Sequence, residues 1–148
     1  MTTDVTKNLF QLKFRMKGVE LIKSQINPQP ANFAAKEFQF TVNVENRLEP
    51  VQKVAIVVTS VDIKSDNNPE IHASLSSACI YGVDNFEEIF KKVGDDKYDT
   101  PDQVMFTLTS ISLSTLRGIL YEQFRGTYLH QAYLPIMDPK LFKANPEL

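Results

Sequence analysis

The sequence has 148 residues, 43% of them hydrophobic and 23% charged, with 16 basic side chains against 18 acidic ones. That supplies one domain (residues 1–148) able to bury about 68–70% of its unfolded surface, and a net charge of −2 gives no basic field for a phosphate backbone, so nucleic acid is not an expected partner. Cys79 is the only cysteine and His72 and His130 the only histidines, which excludes an internal disulfide and leaves a zinc site short of ligands.

Met1 to Asn8 contains Asp4 and Lys7 and no apolar run, and nowhere do 18 apolar residues follow one another. Neither a signal peptide nor a membrane span is expected, and the reading places the chain in the cytoplasm, where Cys79 stays reduced. From Leu9 to Met16, Phe10, Leu12, Phe14 and Met16 alternate with polar residues, which predicts a half-buried strand. The apolar parity then changes at Val19 and Leu21, so a bulge is expected at Lys17–Gly18.

Ser24 to Ala35 holds Pro28 and Pro30 and is too long for a tight hairpin, so it reads as a crossover. Alternation resumes at Phe38, Phe40, Val42 and Val44 and breaks at Asn46–Pro50. Val51 to Lys64 is β-branched and nearly continuous, the pattern of a central strand covered on both faces. Asp66–Pro69 supplies a turn, after which Ile71, Ala73, Leu75, Ser77, Cys79 and Tyr81 line one face of a fourth strand. The result is an antiparallel sheet.

Phe86, Ile89, Phe90 and Val93 fall at helical spacing, which predicts a short amphipathic helix. Thr100-Pro101-Asp102-Gln103 offers a capping box and a proline at the first helical position, so a long helix is expected from here to about Arg125, stopped by Gly126 in the left-handed conformation. That helix has no clean polar face. Leu108, Ile111, Leu113, Leu116, Ile119 and Leu120 are expected at an interface with a second copy, because one sheet covers only one side. Asp138-Pro139 starts a final short helix carrying Leu141 and Phe142, ended by Pro146.

Few residues suggest chemistry. His72 and Cys79 are seven apart and point to opposite faces of a regular strand, which separates a nucleophile from its base. Asp95, Asp96, Asp99 and Asp102 lack the ligand spacing of a calcium loop and read as a solvated turn. No phosphate-binding glycine loop, zinc-protease motif or nucleophile elbow occurs, so no enzyme, cofactor or metal is expected. What stands out is apolar surface in irregular chain: Phe33 and Phe38 at the crossover, and Tyr128, Tyr133, Leu134, Ile136, Met137, Leu141 and Phe142 at the end, for which ordinary loop packing on the sheet is the plainer reading.

Several short segments, in order, are similar to the SecB-type protein-export chaperones. They are Phe10-Gln11-Leu12, Ala78-Cys79-Ile80-Tyr81, Arg117 in the long helix, Arg125-Gly126-Thr127-Tyr128, Leu134-Pro135 and Leu141-Phe142. The family's Cys-Pro-Asn and Phe-Pro-Tyr elements are replaced by Ser110 to Arg117. The resemblance implies an α+β fold in which a four-stranded antiparallel sheet carries the long helix and a short C-terminal helix on one face. It implies a homotetramer, a dimer of dimers, that holds unfolded polypeptides such as preproteins for export in apolar grooves without ATP. Those grooves would be lined by the nine crossover and C-terminal residues just named, together with Phe40 and Tyr81 of the sheet. The SecA translocase motor is the family's further partner, but Val19, Lys23 and Ser74 stand where its docking carboxylates would fall. A chaperone dedicated to one client such as an antitoxin, and a non-chaperone ligand or protein-binding module, are the alternatives.

Overall fold

The computed structural model describes residues 13–66 and 68–142. Its elements in order are β1 (Phe14–Ile26), β2 (Phe38–Glu49), β3 (Val54–Ser65), β4 (Asn68–Val83), α1 (Phe86–Ile89), β5 (Lys91–Gly94), β6 (Lys97–Asp99), α2 (Asp102–Phe124) and a 3-10 turn, Pro139–Phe142. The first four strands form one antiparallel sheet in the order β1-β4-β3-β2. Leu9 to Leu12, Asn67 and Pro146 lie outside the described residues.

The crossover between β1 and β2 spans the whole width of the sheet, because these consecutive strands occupy opposite edges. The parity change in β1 is a register shift between Met16 and Gly18, as expected, and a second shift falls between Leu21 and Lys23. β2 runs on to Glu49, past the expected break at Asn46, since Arg47 and Glu49 continue its exposed row and Leu48 its half-buried one. The turn comes at 50–53, with Lys53 at φ 56°. β3 is central, but only one of its faces is fully buried: Val57, Thr59, Val61 and Ile63 pack under α2, while Ile56 and Val58 are half-buried on the other side.

α2 lies across β3 and β4. Its buried seam is Leu108, Ser112, Leu116, Leu120 and Phe124, a strict four-residue step that keeps one side of a 3.6-residue helix against the sheet. The seam was disguised because it includes a serine. Ser112 Oγ donates to Leu108 O at 2.8 Å and Thr115 Oγ1 to Ile111 O at 2.9 Å, so the backbone quenches their polarity and they pack as small residues. One cluster gathers Val57, Cys79, Tyr81 and Leu108 with Phe86 and Phe90; a second gathers Ile63, Leu75, Leu116, Leu120, Leu129 and Leu134.

Corrections follow from this packing. Leu108, Leu113, Leu116 and Leu120, expected to meet a second copy, are buried within the chain itself; Ile111 and Ile119 are half-buried. By length and mean hydropathy of 1.2 α2 could cross a membrane, but its seam is committed to the sheet, which makes it a core helix. The expected helix over Phe86 to Val93 is one turn, followed by the β5–β6 hairpin, which places Val93 on an exposed strand and Asp95 and Asp96 in its turn. The capping box does not form: Pro101, in extended conformation, is itself the N-cap, with no side-chain bond to the helix end. Gly126 does adopt the left-handed conformation, at φ 74°, where a Cβ would be strained.

Candidate functional site

The helix-facing side of β2 is a row of Phe38, Phe40, Val42, Val44, Asn46 and Leu48, each half-buried. Phe38, Phe40 and Val42 pack at the margin of the second cluster together with Phe33, Tyr128 and Met137. β2, the crossover and the chain after α2 therefore meet along one apolar margin of the second cluster. Asn46 interrupts the row, and its Oδ1 is buried without a hydrogen-bond donor among the described residues. An unsatisfied acceptor of this kind costs about 1–3 kcal/mol.

Two polar devices hold these segments. Arg117 reaches from α2 to the returning chain, its Nε donating to Leu134 O and an Nη to Pro135 O, both at 2.9 Å. Charged donors make the stronger class of hydrogen bond, and a planar guanidinium suits two adjacent carbonyls. On the other side, Asn27 N donates to His72 O and Tyr128 OH to Asn27 O, each at 2.8 Å, tying the crossover to β4 and to the post-helix loop. Phe33 stands edge-on to Tyr128, with ring centroids 4.9 Å apart, and to His72 at 5.3 Å.

His72 is buried, with Nε2 2.7 Å from Ser65 Oγ. Parity had set it on the face opposite Cys79. The β3–β4 register breaks between Ile63 and Ser65, and beyond that break a simple alternation no longer assigns the face; Ile71, expected inside, is exposed for the same reason. Burial pushes the His72 imidazole below its ordinary pKa, with the Glu70 carboxylate pulling the other way, and burial raises the Tyr128 phenol. Cys79 lies in the other cluster, beside Val57 and Tyr81.

The end of the chain supplies the most exposed apolar residues. Ile136 is 92% exposed, Leu141 76% and Tyr133 59%, while Met137 and Phe142 are half-buried. Asp138 caps the 3-10 turn that carries Leu141 and Phe142, its Oδ1 accepting from Lys140 N at 3.0 Å. Tyr121 stacks on Tyr133 beside an open cleft of about 490 Å³. Two residues expected in the groove are not at its surface. Tyr81 is wholly buried, its hydroxyl 2.6 Å from Ser112 Oγ beneath α2, because β4 is an interior strand. Leu134 points into the second cluster, and only its carbonyl meets Arg117.

Sequence reasoning missed the exposure of β1. Met16, Val19 and Leu21 pair with Tyr81, Cys79 and Ser77 and so share the helix-covered face, yet all three are exposed. Their alternation was visible; that the first strand lies at an edge was not. Among the described residues no group of three or more His, Cys, Asp or Glu could hold a metal ion.

Comparison with solved structures gives the SecB-like chaperone of Mycobacterium tuberculosis, in complex with a ChAD peptide from the HigA1 antitoxin. The match has a TM-score of 0.56 at 13% identity and covers 90% of this chain and 99% of that one. The fold is SecB-like. A protein of unknown function from Streptococcus agalactiae superposes with a TM-score of 0.39 at 13% identity, over 76% of this chain and 88% of that one. No family profile and no curated protein sequence matches the chain.

Proposed function

We propose that the protein is an ATP-independent holdase chaperone, non-enzymatic and cytoplasmic, that binds unfolded polypeptides in the groove between β2 and the Tyr128–Phe142 segment. The observation that carries this reading is the exposure of Ile136, Leu141 and Tyr133 on a segment that Arg117 pins in place. Large apolar side chains held outward on a fixed backbone lose little further order on binding. A client burying four large side chains there gains roughly 6–12 kcal/mol, offset by several kcal/mol of association and ordering. One segment binds weakly, and several segments of one client across linked subunits raise avidity by up to about 10²–10⁴.

The linked subunits are part of the proposal. The exposed row Met16, Val19 and Leu21 on β1 lies alongside α2, which Ser24 Oγ joins through Gln123 Oε1 at 2.9 Å, and a second copy covers this row with Ile111 and Ile119. The assembly is a homotetramer, a dimer of dimers. Preproteins for export are the client class the resemblance implies, with SecA as the further partner. A client-dedicated version is favoured by the antitoxin peptide bound to the mycobacterial neighbour.

The test is suppression of aggregation of a chemically denatured model protein. The wild type suppresses it at stoichiometric concentration, and Tyr133→Asp and Ile136→Asp, both at exposed positions, remove most of the effect. Equal suppression by all three proteins would remove this groove as the client site.

A further inference from the structure

The apolar core is divided in two, and the division cuts across the large elements. On β2 it falls between Val44 and Val42, on β3 between Val57 and Val61, on β4 between Cys79 and Leu75, and on α2 between Leu108 and Leu116, the first of each pair belonging to one cluster and the second to the other. What stands between the clusters is a belt of hydroxyls. Thr59 and Ser77 are register partners on β3 and β4, wholly buried, with their side-chain oxygens 3.3 Å apart. α2 places two more buried hydroxyls, Thr109 and Ser112, between its own two apolar sets.

Opening within either cluster would expose hydrocarbon, whereas opening along the belt exposes hydroxyls that water bonds in turn. The helix also bends most readily at this level, because Ser112 and Thr115 bond back to Leu108 O and Ile111 O, and hydroxyls that do so bend helices. The halves differ in what they carry. The second holds Phe33, Tyr128 and Met137, and with them the crossover and the chain after α2; the first holds Phe86 and Phe90 of the α1 turn. Resting on the polypeptide-binding reading above, we infer that the belt is a hinge line: the half around the second cluster opens as one cooperative unit while the other half holds the fold. Arg117, which lies on the second-cluster side of the belt, keeps the 134–135 segment attached to that half. A wall that opens as a unit re-forms around clients of different shape without global unfolding, and local openings in proteins follow cooperative units of this kind.

Hydrogen exchange of the intact protein, read by mass spectrometry with no client present, tests the hinge apart from the polypeptide-binding reading. β3, β4 and α2 each cross the belt, so the two ends of one element are compared: 104–111 against 116–124 on α2, and 54–58 against 61–65 on β3. The second-cluster ends should exchange about tenfold or more faster, through an opening that depends less steeply on urea than global unfolding does. Thr59→Val combined with Ser77→Ala removes both partners of the buried bond together and joins the clusters, so the ratio should fall below about threefold. One rate along each element, faster exchange at the first-cluster ends, or an unchanged ratio in the double variant overturns the inference. Should the double variant fail to fold, the wild-type ratio and its urea slope decide alone. Failure of reduced and carboxymethylated α-lactalbumin to bind would instead remove the polypeptide-binding reading and with it the use of the hinge.

Discussion

Arg117→Met tests whether the exposed segment is presented or merely loose. The guanidinium makes hydrogen bonds of 2.9 Å to Leu134 O and Pro135 O, and a longer one of 3.5 Å to Ser114 Oγ. Hydrogen bonds from charged groups contribute about 1.5–3 kcal/mol each when buried. Arg117 is half-buried and Pro135 exposed, so water replaces part of the second bond, whereas Leu134 is buried and its carbonyl loses its donor. The expected net loss is about 2–3 kcal/mol, felt first as detachment of the segment after Leu129 rather than of the sheet. Hydrogen exchange read by mass spectrometry should speed up in peptides covering 130–142 while β3 and β4 keep their protection. Arg117→Lys, which still donates from a point charge, should restore part of it. Unchanged exchange in 130–142, or equal acceleration throughout, would refute the argument that Arg117 holds this wall.

Further expectations follow from the same packing. His72 stays neutral in the folded chain to a lower pH than in the unfolded one, because burial lowers its pKa from 6.5. The unfolded form therefore binds more protons below that value, and stability falls as the pH drops through 6.5 toward the lowered pKa. Urea denaturation should show that slope in the wild type and lose it in His72→Gln; an identical slope in both would assign it to other groups. Leu116→Ala, at a wholly buried position, should cost about 2–5 kcal/mol, and a loss below about 1 kcal/mol would mean that α2 does not seal the sheet. Ile119→Lys and Val19→Lys should each lower the light-scattering mass of the assembly, and a wild-type monomer of 16.8 kDa would contradict the shared apolar surface.

Much of the sheet was legible from period-two alternation, since Phe38 to Val44 and Ala73 to Tyr81 carry one strongly apolar face each. The bulge after Met16 was legible from a change of parity. Strand order was not: nothing local in Phe14–Ile26 or Phe38–Glu49 says that each stands at an edge of the sheet formed by the described residues, and that position leaves Met16, Val19 and Leu21 exposed and half-exposes the β2 row. The buried seam of α2 was hidden by Ser112, which composition counts as polar while the structure buries it, as it does Thr109 beside the seam. Tyr81 was misplaced because a tyrosine near a strand end reads as surface, when here Ser112 Oγ and Leu108 O satisfy its hydroxyl below the helix. Ile136 and Leu141 were visible as apolar residues in irregular chain, but the device that fixes this segment, Arg117 on Leu134 and Pro135, depends on contacts 17 and 18 residues apart along the chain.

The central claim is that the wall from Tyr128 to Phe142 meets unfolded chains and ignores folded ones. Methyl-labelled protein, observed by NMR during titration with reduced and carboxymethylated α-lactalbumin, addresses it directly. The methyl signals of Ile136, Met137 and Leu141 should shift together with those of Val42 and Val44, while native, disulfide-bonded α-lactalbumin leaves all five unmoved. Shifts confined to the far face at Ile56 and Val58, or equal responses to the native and the unfolded protein, would contradict it.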